Sequence, residues 1–194
     1  MTTDTAKIIE QTRHWVQQLI VKYNICPFAR REVERKSIRY VTAAQREPQA
    51  VLQQLLDEVN HLDATPETET TLLILPSGFE SFYDFLTLVD IADALLVEEG
   101  YEGVYQLAHF HPDYCFDGEA QDDPANYTNR SPYPTLHLLR EASIEEALKN
   151  YDDLESIPER NIEFARRKGS EFFIRIVIAT LLVSIVSSYA GSYP

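Results

Sequence analysis

Thr71-Leu72-Leu73-Ile74-Leu75 is the run around which the other elements are arranged. It carries no charge, and Pro76-Ser77-Gly78 closes it. A short continuous apolar run stopped by turn formers predicts a central strand buried on both faces. Helical spacing flanks it on either side. Upstream, Val51, Leu52, Leu55, Leu56, Val59 and Leu62 form one face of a helix that Pro48 can open. Downstream, Phe82, Phe85, Leu86, Val89, Ala92 and Leu96 do the same between Ser81 and Glu99.

Working outward, Ser37 to Ala43 and Val104 to His111 read as further strands, and Thr135 to Arg140 as a fourth. In the third, a period of two places Tyr105, Leu107, His109 and His111 on one face. Residues 4–23 read as an amphipathic first helix. Pro27 sits where a short second helix through Arg35 would begin. Ser143-Ile144-Glu145-Glu146 matches a capping box opening a helix to about Tyr151, and Pro158 opens another to about Lys168. Alternating helices and strands predict one α/β domain over residues 1–168. It would hold about four mostly parallel strands covered by helices, as a ferredoxin-like or an open-sheet layered sandwich.

Residues 169–194 form an atypical apolar tail, with no charge after Arg175. Three readings are open: a packed or oligomer-burying segment, a membrane tail, or a segment foreign to the domain, since Gly169-Ser170-Glu171-Phe172 looks like an engineered junction. The apolar run falls short of the roughly 20 residues a membrane helix needs, so membrane association requires the tail to insert.

The chain has 194 residues, 44% hydrophobic and 25% charged, a composition ordinary for a globular domain. Its net charge of −14 repels phosphate backbones and argues against nucleic-acid partners. Two distant cysteines make no disulfide framework. Met-Thr-Thr-Asp-Thr-Ala-Lys at the start lacks a basic segment followed by an apolar one, so a cytoplasmic location with free thiols is expected.

The chemistry-bearing residues gather around a loop at about 111–134, rich in proline, acids and aromatics. A loop of that length without periodicity of its own is usually functional or disordered, and its aromatics argue for order. Cys26 precedes Pro27, which would make it the cap of the second helix. Unpaired N–H groups and the positive dipole end there favour thiolate, and Arg30 and Arg31 add positive charge. That describes an activated nucleophile. The competing reading is a buried cysteine packed as a small hydrophobe.

His111 ends a strand at the rim where open parallel sheets bind ligands, and would act as a general base. The competing reading is a histidine bonded to loop backbone that fixes the strand end. Arg130, with Asn129, Ser131 and Tyr133 around it, reads as an anion clamp for a small anionic metabolite, or as a salt bridge holding the acidic loop closed. His109, His111, Cys115 and Cys26 make a nominal zinc set, but the spacing matches no strong zinc pattern. No metal or other cofactor is expected.

Asn24-Ile25-Cys26-Pro27-Phe28-Ala29, Gln106-Leu107-Ala108, Phe110-His111-Pro112 and Asn126-Tyr127-Thr128-Asn129-Arg130-Ser131-Pro132-Tyr133-Pro134, continuing through Leu136-His137-Leu138-Leu139-Arg140-Glu141-Ala142-Ser143, resemble the bacterial family called domain of unknown function 1415. The resemblance spans about residues 5–168. It implies a small bacterial protein of one domain and implies no activity. The family pattern carries Cys26, His111 and the Asn129–Pro134 run, but does not require His109 or Cys115, which weakens the zinc reading. The expected function is then a small-metabolite enzyme with Cys26 as nucleophile, His111 as base and Arg130 as clamp, performing thiol-dependent hydrolysis or acyl or thiol transfer. The alternatives are a non-catalytic ligand-binding or interaction domain, with homo-oligomers allowed, and a small structural zinc protein.

Overall fold

The computed structural model describes residues 3–149 and 156–183. The predicted helix end at Tyr151 and the tail from residue 184 onward lie outside them. Four strands form one sheet: β1 (Ile38–Thr42), β2 (Thr70–Ile74), β3 (Tyr105–Phe110) and β4 (Thr135–Arg140), in spatial order β1-β2-β4-β3. All of β2 is buried, as its apolar run predicts for an interior strand.

The sheet is mixed rather than mostly parallel. β1 and β2 pair in parallel across the helix α3 (Pro48–Ala64), but β4 runs antiparallel to both β2 and β3. The cause lies in the connections. β2 reaches β3 through the helix α4 (Phe82–Glu98), leaving a gap one strand wide, and β3 returns to β4 through a loop with no crossover helix. A direct return of this kind delivers an antiparallel neighbour, and β4 fills the gap. The element order β-α-β-α-β-β also differs from the β-α-β-β-α-β of a ferredoxin-like fold. The open layered sandwich is the form adopted.

Strand alternation sends side chains to two separate cores. On one face Leu73, Leu136, Leu138 and Tyr105 pack against Val51, Leu55 and Val59 of α3 and Phe85, Leu88 and Ala92 of α4. Arg39 points the same way and makes a two-bond pair with Glu58 of α3, with Nε–Oε2 at 2.6 Å. Ser81 caps α4, its hydroxyl accepting from the Asp84 N–H.

The other face carries Leu72 and Phe110, covered by the helix α1 (Thr3–Trp15) and a wider π-helical turn, Val16–Val21, that extends it. Trp15 and Leu19 are fully buried there. Asn24, in the left-handed region at φ 56°, ends this helix and turns the chain into Ile25-Cys26-Pro27. The short helix α2 then runs from Ala29 to Arg35, so Phe28, not Cys26, stands at its cap. The helix α5 begins at Glu141 and runs to Leu148, which puts Ser143 inside it rather than at its cap.

The helices α6 (Ser156–Lys168) and α7 (Ser170–Leu181) complete this face. Ala165 and Phe173 are fully buried in the same core as Trp15, and Phe173 stacks on Tyr127 at 5.6 Å. The described part of the tail is therefore packed into the domain. Among the described residues, no helix is long and apolar enough to cross a membrane.

Candidate functional site

The long loop is ordered by its own polar groups. Pro124–Thr128 forms a 3₁₀ turn whose first N–H bonds, from Ala125, go to the Asp123 carboxylate at 2.8 Å. Asn126 is fully buried. Its amide donates to the Ala120 carbonyl at 2.9 Å and its oxygen accepts the Phe116 N–H at 3.0 Å. Arg166 of α6 grips the loop from outside through Asp123 and Glu119.

The predicted site residues fall into this scaffold. Arg130 donates to the carbonyls of Tyr114 at 3.0 Å and Gln121 at 2.7 Å, and its guanidinium lies over the Tyr127 ring. It closes the loop through backbone carbonyls rather than through the acidic side chains. Its own carbonyl accepts the Trp15 Nε1–H at 3.0 Å. The Asn129 carbonyl accepts the His111 N–H, the Ser131 hydroxyl donates to the Tyr133 carbonyl, and the Tyr133 hydroxyl donates to Gln11.

His111 is fully buried just past β3. Its Nε2 donates to the Phe79 carbonyl at 2.9 Å and its Nδ1 accepts the Asp113 N–H at 3.0 Å. Its ring packs on Phe82 and Phe85. Burial pulls its pKa below the ordinary histidine value. With both nitrogens bonded to backbone, it has no lone pair for a general base, and it fixes the strand end instead.

Cys26 lies on the opposite side of the sheet, half-buried against the core that contains Leu72 and Phe110. Backbone N–H groups of Phe28 and Ala29 approach its sulfur and favour thiolate, but burial outweighs them and raises its pKa. Cys26 and His111 thus belong to different cores, and the expected nucleophile–base pair is not assembled. Nor is the nominal zinc set. Cys115 donates to the Glu119 carbonyl, away from Cys26, and lines an acidic cleft with His109. Among the described residues, no group of three histidine, cysteine, aspartate or glutamate side chains is placed to hold a metal ion.

What Cys26 does face is a cavity of about 560 Å³. Its walls are Trp15, Ile20, Phe28, Leu72 and Phe110, with Ile144 of α5 opposite. A volume of this order suits a small organic ligand. His137, from the middle of β4, shares that wall, with its Nε2 at 2.7 Å from the Thr70 hydroxyl. Desolvation pulls its pKa to about 4, so the ring is neutral near pH 7. His137 is the residue the sequence reading passed over. The signal was a histidine between Leu136 and Leu138, facing the opposite way from both in a strand with leucine at three of its six positions.

A family model described as a protein of unknown function (DUF1415) matches residues 7–175. The chain belongs to the DUF1415 family. That match runs past Lys168 into α7, in keeping with the burial of Phe173. It includes Cys26, His111 and His137, so the family's sequence spans both the loop scaffold and the cavity. The chain matches no curated protein and no solved structure.

Proposed function

We propose that this DUF1415 domain binds a small, largely apolar molecule in the cavity between α2, α5 and the sheet face of Leu72, Phe110 and His137. The observation that carries the reading is the cavity itself: about 560 Å³, its floor apolar and aromatic, with Cys26 and the Thr70–His137 pair set into it and charged side chains such as Arg31, Arg35 and Glu69 also in the lining. Trp15 is the single tryptophan of the chain and lines it, so ligand entry should change intrinsic fluorescence. Titration with an apolar dye is expected to shift Trp15 emission saturably. Ala108→Phe or Ile144→Phe, each filling the cavity from a different wall, should abolish the shift while the protein stays folded. An unchanged titration in both folded variants would sink the reading.

A thiol enzyme is the second reading, favoured by one observation: Cys26, with the Phe28 and Ala29 N–H groups at its sulfur, opens on the same cavity as His137. Here Cys26 is the nucleophile and neutral His137 replaces His111 as base. In a Cys115→Ser background this predicts iodoacetamide alkylation of Cys26 that slows in His137→Ala and is untouched by His111→Ala. Alkylation slower than a free thiol in every variant supports binding without catalysis.

A further inference from the structure

The hydrogen bonds of Thr70 place a hydrogen on His137 Nε2. The Thr70 hydroxyl has one hydrogen, and it donates that hydrogen to the Leu138 carbonyl. Toward His137 the same oxygen can only accept, so His137 Nε2 carries a hydrogen and donates it. Desolvation keeps the ring neutral near pH 7, so Nδ1 is a bare lone pair. That nitrogen has no hydrogen-bond partner among the described residues, and it is not one of the sealed polar atoms of the core. Its ring is part of the cavity wall.

The remaining polar groups of the cavity offer few donors. Arg140 uses its guanidinium on the Tyr105 hydroxyl and the Leu62 and Thr68 carbonyls. Glu69 is also in the lining, but its Oε1 is sealed and has no hydrogen-bond partner among the described residues. The Ser143 hydroxyl serves either role. Arg31 and Arg35 stand more exposed and pair with Glu32.

Resting on the binding reading above, we infer that the cavity selects an apolar molecule bearing a hydrogen-bond donor, an alcohol, phenol or amine N–H, which His137 Nδ1 accepts. A carboxylate or phosphate would place lone pairs against lone pairs there. This ligand class differs from the anionic metabolite expected from Arg130, whose Nε and Nη2 donate to loop carbonyls.

The test uses three probes with the same alkyl chain: 1-octanol, methyl octyl ether and octanoate. Calorimetry and Trp15 emission read their binding to the full chain. 1-Octanol should bind about tenfold more tightly than the ether, the size of one added hydrogen bond in an apolar site. In His137→Phe the two should bind alike, with the ether's affinity retained. Thr70→Val releases the ring's tautomer and should narrow the gap without closing the cavity. Long-range ¹H–¹⁵N spectra of the wild type should show His137 Nδ1 as the unprotonated nitrogen at neutral pH. Alcohol and ether binding equally well would overturn the donor rule and leave the binding reading standing. Octanoate binding best would also overturn it, assigning the head group to Arg31 and Arg35. Failure of all three probes would remove both readings.

Discussion

Single residues decide which of two roles each motif side chain takes. His111 is sealed, with Phe79 and Asp113 bonded to its two nitrogens. His111→Ala removes both bonds and leaves a void beside Phe82 and Phe85, and should cost about 3 kcal/mol in urea unfolding. It should leave the iodoacetamide reactivity of Cys26 unchanged, because the two side chains belong to different cores. The histidines also set the acid limb of stability. Burial lowers the pKa values of His109, His111 and His137, the last to about 4. The unfolded chain binds protons at these sites as pH falls through about 6.5, while the folded chain does not, so unfolded protein is favoured. Stability is full above about pH 6.5 and declines toward about pH 4, by up to about 3 kcal/mol from His137 alone. Urea unfolding at several pH values should show a shallower decline in His137→Phe than in the wild type.

At the scale of elements, the loop between β3 and β4 is a structural unit. Its turns are held by Asn126 and Asp123 inside and by Arg130 across its two limbs. The Trp15 side chain ties Arg130 back to α1. Arg130→Ala should therefore loosen the loop before it destabilises the sheet. Hydrogen exchange is expected to accelerate at Tyr114 to Asn129, with the amides of β2 keeping wild-type protection. Uniform acceleration across the sheet would contradict this division. The turn before α4 is comparably tight: Gly78 has φ 95°, and a Cβ there would come within 2.7 Å of Arg46 Cβ. That closeness explains a glycine after Pro76-Ser77 better than turn preference alone.

For the molecule as a whole, the helices after residue 156 are part of the fold. Phe173 of α7 is fully buried among Trp15, Leu19 and Ala165 and stacks on Tyr127 of the loop. Phe173→Ala should cost about 3–5 kcal/mol, the usual range for emptying an aromatic core site. A melting temperature indistinguishable from wild type would mean α7 is peripheral. The same helices couple the two sides of the site, since α6 holds the loop through Arg166 while α7 backs the core beside the cavity.

Most of the elements are legible in local patterning, though α2 and α5 begin elsewhere than their proline and capping signals imply. Local periodicity placed the apolar run of β2, the helices α3 and α4 and the His109–His111 face of β3, because side-chain spacing along one segment is a local property. The words around Cys26, His111 and Asn129–Pro134 identified the family and named residues that are all structurally engaged. What those residues meet depends on packing between distant segments. The insertion of β4 between β2 and β3 is a non-local pairing that no single segment encodes, and it made the sheet mixed. The same packing sent His111 to the α4 side and Cys26 to the α1 side. It also turned His137, one letter between two leucines, into the open lone pair of a cavity that exists only where α2, α5, the end of α1 and all four strands come together.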